Sequence, residues 1–125
     1  MFSIDAKIEP PSHGGRRALV SDEDADHRDA LSRHLAGRGF HVSHANGALD
    51  ALAIIGAEAP NVALLHSEET GDDGDRAVAL AAMLYPQTRI IVMAAAGTAG
   101  DGVFPVLRRP VDLALLDRCL DELTA

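Results

Sequence analysis

The chain has 125 residues, enough for one domain with a single core and little left for a second. A net charge of −8 excludes a nucleic-acid binder that must neutralise phosphates, and a lone cysteine, Cys119, excludes an internal disulfide framework and fits a reducing compartment. Ala, Leu, Val and Ile dominate the apolar residues and aromatics are scarce, which suits a parallel sheet covered by helices. No apolar run is long enough to span a bilayer and the N-terminus has no signal-peptide core, so a soluble cytoplasmic domain is the expectation.

In chain order, residues 1–15 carry Pro10, Pro11, Gly14 and Gly15 without sustained periodicity and read as a mobile N-terminal arm. The domain is expected to occupy 16–125. Residues 17–21 form a short apolar strand around Ala18, Leu19 and Val20, followed at once by Asp22, Glu23 and Asp24. Asp24 can cap a helix over 25–36 with Leu31 and Leu35 on one face, ended by Gly37 and Gly39. Residues 40–44 alternate, Phe40, Val42 and His44 against His41 and Ser43, as an edge strand does. Asn46 can cap a second helix to about 57, carrying Leu49, Leu52 and Ile55 until Pro60.

Residues 62–65 form a central apolar strand that stops at His66. An acidic, glycine-containing loop follows, then a helix over 75–85 with Val78, Met83 and Leu84 among its apolar positions. Residues 89–94 read as a strand buried on both faces. The stretch 95–102, AAGTAGDG, is too short and glycine-rich for a packed helix of normal length. A fifth strand is expected over 103–107, at a sheet edge because of Pro105, and a last helix over 111–123 with Leu113, Leu116 and Leu120 inward. Strands alternating with helices imply a doubly wound parallel sheet, and five strands suit the flavodoxin-like order 2-1-3-4-5. That order gathers Asp22, Glu23, His66, Ala94 and Arg109 at the carboxyl ends of the strands, where such sheets place their chemistry.

At these residues the chain resembles the receiver domain of two-component response regulators, over about 17–123. LVSDEDADHR resembles the first strand with the family's metal-binding acidic pair, which falls on Asp22 and Glu23. GFHVSHANGALDALAIIGAEAPNVALL resembles the second strand, second helix and third strand without a gap. The next loop has the receiver's length and ends in its Asp-Gly as Asp73-Gly74, and Arg109-Pro110 falls on its Lys-Pro, whose peptide bond is typically cis.

The resemblance also marks departures. The phosphoacceptor aspartate is replaced by His66, the Thr or Ser of the fourth strand by Ala94, and the lysine by Arg109; Lys7 is the only lysine in the chain. Val106 stands at the aromatic switch position and Thr70 at the loop proline. Imidazole cannot form an aspartyl phosphate, and exchanging a carboxylate for it weakens a magnesium site. Ala94 has no hydroxyl to sense a phosphoryl group. The Arg109 fork is expected to bridge Asp22 and Glu23 in a permanent internal cluster. No cofactor is expected, and Mg2+ at most weakly.

His66 has three candidate roles: phosphohistidine acceptor, metal ligand beside Asp22 and Glu23, or a neutral hydrogen-bonded replacement. The last is the expectation, because satisfied polar residues far outnumber ligands. Two adjacent carboxylates would favour its charged form, which raises a pH-switch reading. His41 and His44 point to opposite faces of their strand, and His27 and His34 share a helix face but lie about 10 Å apart, too far to share a metal. Glu68, Glu69, Asp72 and Asp73 read as a solvated acidic loop, and Cys119 as a packing residue.

The resemblance therefore implies a pseudo-receiver: enzymatically inert, independent of phosphorylation, and acting as a protein-protein interaction module in bacterial signalling. Its partners would be a histidine kinase, a response regulator or its own copy, with no nucleic acid and no membrane. Docking is expected through the first helix, the loop after the fifth strand and the remodelled edge over 95–107, where the receiver's crossover helix is missing or reduced to a loop. The alternatives are an active receiver with atypical phosphorylation at His66 or Ser67, and a metal- or ligand-sensing domain using Asp22, Glu23 and His66.

Overall fold

The computed structural model describes residues 16–67, 73–94 and 104–124. The expected arm, the acidic loop tip with Thr70 and the stretch 95–103 lie outside them. The described elements are β1 (Arg16–Ser21), α1 (Ala25–Gly37), β2 (Phe40–Ala45), α2 (Ala48–Glu58), β3 (Val62–His66), α3 (Asp73–Leu84), β4 (Arg89–Ala94), β5 (Val106–Arg108) and α4 (Leu113–Thr124). The strands pair in parallel as one five-stranded sheet in the order β2-β1-β3-β4-β5. This is the flavodoxin-like doubly wound fold.

The sheet is buried on both faces, so the period of two along each strand sorts side chains into two cores. Ala18, Val20, Leu64, Ile91 and Met93 pack with Leu31 and Leu35 of α1 and Leu116 and Leu120 of α4. Leu19, Ala63, Leu65 and Ile90 pack on the other face with Ala51 and Ile55 of α2 and Val78 and Ala81 of α3. Cys119 packs against the first core, and its burial pushes the thiol pKa up.

Several helix details differ from expectation. Gly47, not Asn46, stands at the N-cap of α2, at φ 112° and without a side-chain cap bond. Instead Asn46 donates its N–H to Asp50 at 2.9 Å. α3 begins at Asp73 and turns its alanines inward, leaving Met83 75% and Leu84 58% exposed. Leu113 is 39% exposed while Leu116 and Leu120 are fully buried. β5 starts only after Pro105, whose carbonyl still accepts from Val92 at 2.9 Å. A proline can extend a ladder as acceptor but not as donor.

α1 and α4 are tied by charge as well as by the core. Asp117 of α4 accepts from His34 at 2.7 Å and from Arg38 at 2.9 Å, and Asp121 accepts from Arg38 at 2.8 Å.

Candidate functional site

The register sets the strand ends level: Ser21 lies beside Leu65, His66 beside Met93, and Ala94 beside Arg108. The residues at or just after those ends, Asp22, His66 and Arg109, therefore converge. Beside them a cleft of about 350 Å³ is lined by Glu23, Gly47, His66, Asp73 and Gly74 among others. Gly74 is required where α3 begins, because a Cβ there would lie 2.2 Å from the His66 carbonyl oxygen. The Arg109–Pro110 peptide bond is cis, as the resemblance implies.

Asp22 is the centre of the cluster, its side chain wholly shielded from solvent. Oδ1 accepts from the Asp24 N–H at 2.9 Å and from Arg109 Nη2 at 2.8 Å, and Oδ2 meets His27 Nδ1 at 2.5 Å. Burial alone would raise the carboxyl pKa. The Asp24 and His27 hydrogen bonds and the Arg109 charge outweigh it and hold Asp22 below its ordinary value.

Arg109 also donates from Nη1 to Nε2 of His66 at 3.2 Å. A guanidinium has no acceptor, so Nε2 of His66 contributes its lone pair. This differs from one expectation. Among the described contacts, the Arg109 fork spans Asp22 and His66, not Asp22 and Glu23, and Glu23 is exposed at the cleft rim. The Nε2 atom of His66 faces the Arg109 guanidinium. Ala94 is buried and its carbonyl accepts from the Arg109 N–H at 2.9 Å.

The residue that sequence reasoning missed is His27. It occupies the first turn of α1, three positions after Asp24, which caps that helix by accepting the His27 N–H at 3.1 Å. A side chain in this turn folds back toward the helix start, as in a capping box, and here it reaches Asp22. Its other ring nitrogen, Nε2, accepts the Val111 N–H at 3.0 Å. The usable signal was the spacing Asp22…Asp24…His27.

Solved structures resemble this fold over most of their length. The receiver-domain protein (CheY-like) of Methanospirillum hungatei has a TM-score of 0.73 at 25% identity, covering 87% of this chain and 94% of that one. The response regulator TrrA of Thermotoga maritima, in complex with Mg(2+)-BeF, has a TM-score of 0.75 at 18% identity, covering 86% and 98%. The signal receiver domain of a DNA binding response regulator from Colwellia psychrerythraea has a TM-score of 0.72 at 19% identity, covering 87% and 98%. This chain has the receiver fold. No family model and no curated protein matches the sequence.

A receiver resemblance implies a divalent cation at Asp22, and the residues here do not fit one. Mg2+ needs oxygen ligands at about 2.1 Å and keeps several waters. Asp22 has no solvent-facing surface, its two oxygens are engaged from three directions, and a guanidinium sits at ion-pair distance. Among the described residues, no cluster of His, Cys, Asp and Glu could hold a metal ion, and no helix is long and apolar enough to cross a membrane.

Proposed function

We propose that this chain is a phosphorylation-independent pseudo-receiver, without enzymatic activity, acting as a protein-protein interaction module in bacterial two-component signalling in the cytoplasm. The observation that carries this reading is the Arg109–His66 hydrogen bond. The strand-end position that would receive a phosphoryl group holds a neutral imidazole acceptor already bound to the site's own cation, and imidazole cannot yield an aspartyl phosphate. The domain comprises 16–125 with 1–15 as an arm. Its partner is a signalling protein such as a histidine kinase or response regulator, or a second copy. The exposed stripe of Leu80, Met83 and Leu84 on α3 supports a surface role.

The test is titration with beryllofluoride and magnesium, followed by amide shifts. No specific shifts at Ser21–Glu23, His66 or Ser67 are expected. Saturable shifts clustered there would establish an active receiver and overturn this reading.

A further inference from the structure

The Asp22 side chain has no exposure, and three groups engage it: two from the start of α1, the Asp24 N–H and His27, and one from far along the chain, Arg109. His27 is the informative one. Its Nε2 accepts a backbone N–H, which can only donate, so that nitrogen is unprotonated and the ring proton sits on Nδ1. Nδ1–H then donates to Asp22 Oδ2. The ring's two nitrogens face a carboxylate that needs a donor and an amide that needs an acceptor, so one tautomer satisfies both and the other satisfies neither. Arg109 supplies the full positive charge on the other oxygen.

The geometry points to His27 and Arg109 as a built-in replacement for a divalent cation. Together they saturate Asp22, exclude metal from the cleft, and strap the start of α1 to the junction between β5 and α4. In an Mg2+-dependent site the carboxylate is free to recruit a cation when a ligand arrives. Here the bond between Asp22 and the junction is permanent, so the α1–α4 face is held in one arrangement. The inference rests on the reading of the site as uncoupled from phosphorylation and adds the residue that enforces it.

The direct test uses the unmodified chain. Long-range proton–nitrogen correlation of the imidazoles is expected to show His27 with a protonated Nδ1 and a bare Nε2, with scalar coupling across the bond to the Val111 amide. An Nε2–H tautomer or a doubly protonated ring at neutral pH overturns the strap. The second test follows Mn2+ broadening of amides in the wild type and in His27→Ala combined with Arg109→Lys. The wild type is expected to show no saturable broadening around Asp22, and the double variant at least about tenfold tighter binding there. Wild-type binding as tight as the variant's, or a folded double variant without gain, overturns the proposal. If beryllofluoride is silent while the His27 tautomer is wrong, only this inference falls; if beryllofluoride binds at His66, the reading beneath it falls.

Discussion

Arg109 and His66 stand 43 positions apart in sequence, yet the guanidinium Nη1 lies 3.2 Å from the imidazole Nε2. The same guanidinium holds Asp22 at 2.8 Å, so one side chain joins the ends of β1, β3 and β5. A carboxylate at the end of β3 would draw that guanidinium into a second ion pair. With the imidazole there, the guanidinium instead divides between a carboxylate, Asp22, and a ring nitrogen, His66 Nε2.

Asp22→Ala should therefore be costly. It leaves Arg109 without its carboxylate and His27 without its acceptor, and breaking such a shielded pair typically costs about 3–5 kcal/mol. Urea unfolding should show a midpoint shift at constant slope. Stability equal to the wild type would show that the cluster contributes nothing.

Gly74→Ala should destabilise through the backbone. The added Cβ would meet the His66 carbonyl oxygen at 2.2 Å and Ser67 Cα at 3.1 Å, neither of which can swing aside. A loss of about 2 kcal/mol is expected, within the range for overpacking, together with shifted amides at His66 and Ser67. A neutral result would place the start of α3 further from β3 than it stands here.

The acid limb of stability should reflect Asp22 and Asp117. Asp22 lies below its ordinary value of 3.8 for the reasons given above. Asp117 lies below the same value chiefly through the His34 hydrogen bond, then through Arg38, against opposition from burial. Both carboxyls bind protons more readily in the unfolded chain. Their stabilisation is complete above the unfolded pKa and is lost as pH falls through the folded values. Unfolding free energy should thus decline from about pH 4 downward, and Asp117→Asn should flatten part of that slope. An unchanged slope in the variant would remove Asp117 from the account.

Leu116→Ala and Met83→Ser should separate packing from surface. Leu116 is fully buried, and truncating it should cost about 2–5 kcal/mol. Met83 is 75% exposed, so its replacement should alter stability by less than about 0.5 kcal/mol. If the α3 stripe meets a partner, Met83→Ser weakens that association while the melting curve stays put. A stability loss comparable to that of Leu116→Ala would show that Met83 is packed.

The order of elements, the sheet order and the meeting of Asp22, His66 and Arg109 were determined by the sequence alone. Short apolar runs with period-two cores, helices between them and right-handed crossovers leave few other sheets, and a parallel sheet aligns its carboxyl ends. The phase of each helix and the partner of each polar group were decided only in three dimensions. α3 buries alanines and exposes Met83 and Leu84, because its approach to the sheet depends on neighbouring helices and not on its own pattern. His27 and His34 were visible as one face of α1. What that face meets is Asp22, the Val111 amide and Asp117, the last two more than 80 positions away. A strand end can be found by counting residues, but a hydrogen-bond partner at that distance exists only once the core has brought α4 beside α1.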